Sequence, residues 1–148
     1  MTIRKAIEKD LISCVEIAKR LSDWFDNEDL IKIRKAIYSL PVYVYDDGKI
    51  LGFVCIKEKS NKVIELEYFA VDIDNHHKGI GTKIIKYVEN KLAKDKIIVV
   101  KTLDDSSDYE PYARTRAFYE KNGFLKIDVV DPYPGWSEKC PCAIYIKT

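Results

Sequence analysis

This sequence has no excess of either charge, no long apolar run and no complete set of metal ligands. Lys and Arg number 25 against 24 Asp and Glu, a formal net charge of +1. A chain so near neutrality has no bulk field to recruit nucleic acid, so no nucleic-acid partner is expected. No stretch approaches the roughly 20 apolar residues of a membrane-spanning helix. Met1–Asp10 is charged throughout and lacks the apolar centre of a secretory leader. The expected location is therefore cytoplasmic, with no membrane partner. Cys14 and Cys55 lie in apolar patterns, where cysteine serves as a small hydrophobe. Cys140-Pro141-Cys142 offers two thiols, and no second cysteine pair or spaced histidine pair completes a zinc site, so no metal is expected. Glutamine is absent while Lys, Ile and Glu abound, which fits either growth at high temperature or genome composition. The only histidines, His76 and His77, are adjacent, and no Ser-His-Asp arrangement for a hydrolase is evident. Repeats, low-complexity tracts and linkers are missing too, and 148 residues fit one domain, 1–148.

What is present is an ordered series of short periodic segments. Thr2–Ala6 reads as an opening strand. Glu8–Leu21 has helical periodicity through Leu11, Val15 and Ala18, and Asn27–Tyr38 follows as a second helix with Asn27 as its N-cap. Val42–Tyr45 and Ile50–Lys57 flank Asp46-Asp47-Gly48 as a hairpin, and Val63–Val71 makes a third consecutive strand. Gly79–Leu92 is a helix with Ile80, Ile84, Val88 and Leu92 every four residues. Ile97–Leu103 is β-branched, as expected of a strand buried on both faces. Tyr112–Asn122 is a helix with Pro111 near its start and Gly123 after its end. Phe124–Val130 and Ala143–Lys147 complete the strands. The step from Val63–Val71 through one helix to Ile97–Leu103 predicts a parallel, right-handed βαβ crossover.

Asp72–Thr82 joins a strand to a helix and reads Asp-Ile-Asp-Asn-His-His-Lys-Gly-Ile-Gly-Thr. Backbone N–H groups at a helix start lack intrahelical partners, and glycine lets them approach a phosphate. The Walker pattern is not matched, and the dinucleotide fingerprint fails because Ile84 stands where its third glycine belongs. His76-His77-Lys78-Gly79-Ile80-Gly81 does match the glycines of Gln/Arg-x-x-Gly-x-Gly/Ala, with His76 at the Gln/Arg position. Ala70-Val71 precedes the loop, and Phe118-Tyr119-Glu120-Lys121-Asn122-Gly123-Phe124 lies downstream. Together these segments resemble the GNAT family of acyl-CoA-dependent N-acyltransferases, and the element order resembles its fold over nearly the whole chain. Thr115-Arg116-Ala117-Phe118-Tyr119, then Trp136 and Pro141-Cys142, looks like one bacterial and archaeal subgroup. Tyr112 and Thr115 stand where the family usually has Asn and Ala.

The resemblance implies an α/β (α+β) GNAT fold: a mixed, mostly antiparallel twisted sheet with a central parallel βαβ pair and about four helices. It implies acetyl-CoA as co-substrate, bound by Phe69, Ala70, Val71, His76, His77, Lys78, Gly79, Ile80, Gly81 and Thr82. The acceptor is a primary amine on a small molecule or protein, attacking the thioester directly. Tyr119 matches the family's general acid, and it also fits as a plain helix aromatic. Glu65 stands where some members have a base glutamate, and Glu67 where others have an acidic substrate contact. Both fall on one face by alternation, and solvated partners of Lys57 and Lys59 are the plainer reading. Trp24 and Phe25, between the first helices, and Tyr133 and Trp136, between the last strands, would line the acceptor cleft; a surface plug is the other reading. Family members often dimerise, which leaves room for a homodimer. The rival to an enzyme is a non-catalytic acyl-CoA-binding or interaction module.

Overall fold

A computed structural model describes residues 1–136 and 140–148. Its elements are β1 (Thr2–Lys5), α1 (Glu8–Lys19), α2 (Asn27–Ile37), β2 (Val42–Asp46), β3 (Ile50–Glu58), β4 (Val63–Val71), α3 (Ile80–Tyr87), β5 (Ile97–Leu103), α4 (Pro111–Lys121), β6 (Leu125–Val130) and β7 (Cys142–Lys147). The strands form one seven-stranded sheet in the order β1-β2-β3-β4-β5-β7-β6. Only β4 and β5 run parallel. No helix among the described residues is long and apolar enough to cross a membrane.

Each sheet face carries its own apolar layer. On one face α1 and α2 bury Cys14, Ile17, Ala18, Ile33 and Ile37 against Val44, Phe53 and Cys55. On the other, α3 and α4 bury Ile80, Ile84, Ile85 and Tyr119 against Val54, Val100 and Tyr145. Gly52 lets α3 close on β3: a Cβ there would lie 3.1 Å from Ile84 Cδ1 and 3.2 Å from the Ala70 carbonyl oxygen.

The expected element order is observed, with local corrections. The cap of α2 is Asp26, whose carboxylate accepts from the Asp29 N–H, while Asp29 reaches back to the Asp26 N–H. That reciprocal pair satisfies two N–H groups, which is why the helix starts one residue after the aspartate. The long helix expected over Gly79–Leu92 is α-helical only to Tyr87 and then widens into a π turn, Val88–Leu92. β5 is fully buried on one face, while on the other Ile97, Val99 and Lys101 are half-buried and only Leu103 at its end is buried, because the α1–α2 layer includes no β5 residue.

The end of β5 is clamped to the β6 edge. Asp104 is buried, and its carboxylate accepts from Lys126 Nζ at 2.9 Å and from the hydroxyl and N–H of Ser106. Burial pushes its pKa up, but these donors more than offset it and hold it at about 2. The folded value lies below the unfolded one, so the stabilisation is present above the ordinary carboxylate range and is lost as pH falls toward 2. Asp104→Asn should therefore lower unfolding free energy by about 2 kcal/mol at pH 7, and the gap to wild type should close near pH 2 in urea titrations. An unchanged gap at both pH values would remove the charge-based account.

Candidate active site

The strand β4 holds the site because its register slips once. Cys55 of β3 pairs with Tyr68 but the next residue, Ile56, pairs with Leu66, so Glu67 is an extra residue in β4. Such a bulge reverses side-chain phase and bends the strand. Before it, Ile64 and Leu66 point into the α3–α4 layer. After it, Phe69 and Val71 do so, while Tyr68 and Ala70 turn to the α1–α2 layer. Pairing with β5 ends at the same place: Val63, Ile64 and Glu65 match Ile97, Ile98 and Val99, and no further pair follows. The sheet therefore opens between the C-terminal halves of β4 and β5, exposing backbone groups that a sheet would normally satisfy.

The loop after β4 lies at the mouth of this split. Asp72 is buried, accepting from Arg20 at the end of α1 and from Asn75 Nδ2, and Arg20 also reaches Asp74 at 2.6 Å. This fixes the loop to α1. His77 and Gly79 both take left-handed backbone, φ 66° and 78°. A Cβ on Gly79 would meet nothing within 4 Å, so this glycine is required by its conformation and faces open space. The first intrahelical bond of α3 runs from the Lys83 N–H to the Gly79 carbonyl. The N–H groups of Gly79, Ile80, Gly81 and Thr82 consequently have no partner among the described residues. His76 is turned back: its Nε2–H donates to the Val71 carbonyl at 2.9 Å, and its ring packs edge-on against Trp24. Lys78 Nζ donates to Asn75 Oδ1.

Gly81 has a different role from Gly79. A Cβ at Gly81 would lie 2.9 Å and 3.0 Å from two carbons of the Phe118 ring. Phe118 in turn packs edge-on against Phe69. This glycine lets α3, α4 and β4 meet beside the split. Tyr119, the next residue of α4, is 7% exposed among Phe118, Phe124 and Tyr145. Burial raises its pKa above the ordinary tyrosine value, so the phenol keeps its proton at working pH. That hydroxyl has no hydrogen-bond partner among the described residues. Thr102 on β5 carries another uncommitted oxygen, a buried Oγ1 without a partner among the described residues.

The α1–α2 face of the split carries the two acids in unlike surroundings. Glu65 is buried, with Oε1 at 3.2 Å from Lys101 Nζ and 3.6 Å from Lys59 Nζ. Glu67 is half-buried, and its pKa is raised, first by desolvation and then by the charge and hydrogen bonding of Glu65. Tyr68 beside it is pushed up to about 12 by burial and by the charge of Glu67. Two loops border this face. From the α1–α2 loop, Trp24 Nε1 donates toward the Pro111 carbonyl and Thr115 Oγ1, both at 3.2 Å, and its own carbonyl accepts from the Tyr112 hydroxyl. Phe25 is half-buried against the α1–α2 core. From the β6–β7 loop, Tyr133 packs on Trp136 with ring centroids 5.3 Å apart, and its hydroxyl accepts from Lys101 at 2.6 Å.

The family model of the Acetyltransferase (GNAT) domain matches residues 39–126, more than half of the chain. This chain belongs to the GNAT family. It is similar to the S-(2-succino)cysteine N-acetyltransferase of Bacillus subtilis (strain 168), 26% identical over 139 residues and covering 83% of each chain. A GNAT-family structure from Desulfovibrio desulfuricans superposes with TM-score 0.82 at 17% identity, covering 99% of this chain and 97% of the other. A GNAT acetyltransferase from Elizabethkingia anophelis, solved with acetyl-CoA bound, gives TM-score 0.71 at 20% identity, covering 98% and 95%. Two residues of this candidate site escaped the sequence reading. Lys101 had a visible signal, a lysine interrupting the apolar run Ile97–Val100. The Asp72 clamp had none, since its partner Arg20 lies 52 residues away.

Proposed function

We propose that this chain transfers an acetyl group from acetyl-CoA to a primary amine, with Glu67 as base and Tyr119 as acid. The observation that carries the reading is the split between β4 and β5 beside the bulge at Glu67. A split of this kind offers backbone groups of Phe69–Val71 to an extended pantetheine arm. The unpartnered N–H groups of Gly79–Thr82 and the helix dipole suit its pyrophosphate. Acetyl-CoA supplies an activated acyl group. An amine near neutral pH is protonated and must lose a proton before it can attack, and a carboxylate whose pKa is lifted toward neutrality is the better acceptor for it. The Glu67 carboxyl is raised above the ordinary glutamate value by desolvation and by Glu65, and the Glu65 carboxylate is committed to ion pairs with Lys101 and Lys59. The amine nitrogen then bonds to the carbonyl carbon, the carbon–sulfur bond breaks, and the departing thiolate takes the proton of Tyr119; the nitrogen sheds its remaining extra proton to solvent as the amide forms, and the tyrosinate regains a proton from solvent.

Tyr119→Phe removes only an uncommitted hydroxyl, so the fold should persist. Turnover should fall about tenfold, below the ~10²–10⁴ of a typical positioned acid, because a thiolate already leaves readily. A loss under threefold would remove Tyr119 from the acid role.

The reading is tested by following thiol release from acetyl-CoA with and without a panel of amines, with mass-spectrometric detection of acetylated product. Amine-dependent release with product supports it. Binding of acetyl-CoA without product would instead identify an acyl-CoA-binding module, and amine-independent release a hydrolase.

A further inference from the structure

On the α1–α2 face the two lips of the split carry opposite charges. Glu67 stands at the bulge of β4, and Lys101 stands on β5 two residues beyond Val99, the last β5 residue paired with β4. The Lys101 side chain is only 18% exposed. It spends two of its three ammonium protons on Glu65 Oε1 and the Tyr133 hydroxyl. Nζ lies 4.8 Å from the Tyr133 ring centroid but 2.6 Å from the hydroxyl, which places it off the ring edge and makes the contact a hydrogen bond. The third proton has no partner among the described residues, and neither does the Tyr133 hydroxyl proton. Lys59 approaches the same Glu65 oxygen, so two ammonium groups share that one carboxylate oxygen. Burial alone would pull the Lys101 pKa down, but the hydrogen bond to Tyr133 and the charge of Glu65 outweigh it and lift the value, so the cation persists.

We propose that Lys101 and Tyr133 form a carboxylate subsite, and that the acceptor is a free α-amino acid or a close analogue. Its amine would lie at Glu67 and its carboxylate at Lys101, matching the charges of the two lips. Two free donors, one an ammonium proton and one a phenolic proton, complement the two oxygens of a carboxylate. The loop bearing Tyr133 is also fixed from α2, where Lys32 Nζ donates to the Gly135 carbonyl at 2.9 Å. A face bridged in this way suits a small acceptor better than a polypeptide. The proposal rests on the acetyl-transfer reading above.

The test compares three sets of acceptors at saturating acetyl-CoA: free L-amino acids, their α-amides and the matching decarboxylated amines. Wild-type kcat/KM should be at least tenfold higher for the free acids. Lys101→Met should lower the acid-to-amine ratio at least tenfold, chiefly through KM. Lys101→Arg, which keeps the cation, should retain most of the ratio, and Tyr133→Phe should lower it less than Lys101→Met. Equal use of acids and amines by the wild type, or equal losses for both in Lys101→Met, would overturn the carboxylate subsite while leaving acetyl transfer standing. Bound acetyl-CoA with no acetylated product from any amine would overturn both. Should Lys101→Met fail to fold, the wild-type panel and the Tyr133→Phe ratio decide the matter.

Discussion

Glu67→Gln is expected to reduce kcat/KM at pH 7 by about a hundredfold, a loss of roughly 2.7 kcal/mol in transition-state stabilisation. The substitution keeps the size of the side chain and removes its capacity to take a proton. The sign of the pH dependence follows from the surroundings of Glu67. Desolvation and the neighbouring Glu65 raise its pKa above the ordinary glutamate value. A base must be ionised, so wild-type activity should fall as pH drops through that raised value. In Glu67→Gln the limb set by Glu67 should give way to one set by the amine's own, higher pKa, so activity should recover at high pH, where the amine deprotonates unaided. A limb left at its wild-type position in Glu67→Gln, or a loss below threefold, would end the assignment. Glu65→Gln should behave differently. It would leave Lys101 and Lys59 without their shared carboxylate, so its main effects should be on stability and acceptor KM.

Gly81→Val is the second large effect. Its new Cβ would sit 2.9 Å from the Phe118 ring, and that ring is itself packed on Phe69 and Tyr119. Overpacking of this kind costs about 1–3 kcal/mol. At this chain length 2 kcal/mol corresponds to a melting temperature lower by about 4–8 °C. The displaced helix start would carry its unpartnered N–H groups with it, so acetyl-CoA affinity should fall at least tenfold, about 1.4 kcal/mol. The mechanism differs from the one the motif alone implies, in which a side chain at this glycine blocks the phosphates. Gly81→Val combined with Phe118→Ala separates the two. If packing is the cause, the double variant should regain part of the affinity lost by Gly81→Val. Full stability with unchanged acetyl-CoA affinity in Gly81→Val would remove both the packing account and this phosphate site.

Much of the fold was legible because it is written in local terms. Pro111 and Gly123 bound α4, the turn residues 46–48 mark the β2–β3 hairpin, and four-residue apolar spacing marks the start of α3. The candidate site was read from the glycine loop and Phe118–Phe124, from Glu65 and Glu67 on β4 and from the loop aromatics Trp24, Phe25, Tyr133 and Trp136, while Lys101 and the Asp72 clamp were not. The α2 cap was misplaced by one residue, since Asp26 and Asn27 are both good capping types and only the geometry of Asp29 chooses between them.

The sequence by itself determined the family, the order of strands and helices and the place of the helix-start loop, because these follow from spacing within a few residues. Tertiary structure decided how the site is built. The run Val63–Val71 reads as one uninterrupted strand, and nothing in its alternation marks Glu67 as an extra residue; the slip exists only in its register with β3. The parting from β5, the capture of Glu65 by Lys101 and Lys59, and the bridges from Trp24 to Thr115 and from Lys101 to Tyr133 join residues far apart in the chain. Such pairings have no local signature. They arise from how a twisted, bulged sheet and its two helix layers meet, and that meeting is what gives two similar glutamates different surroundings.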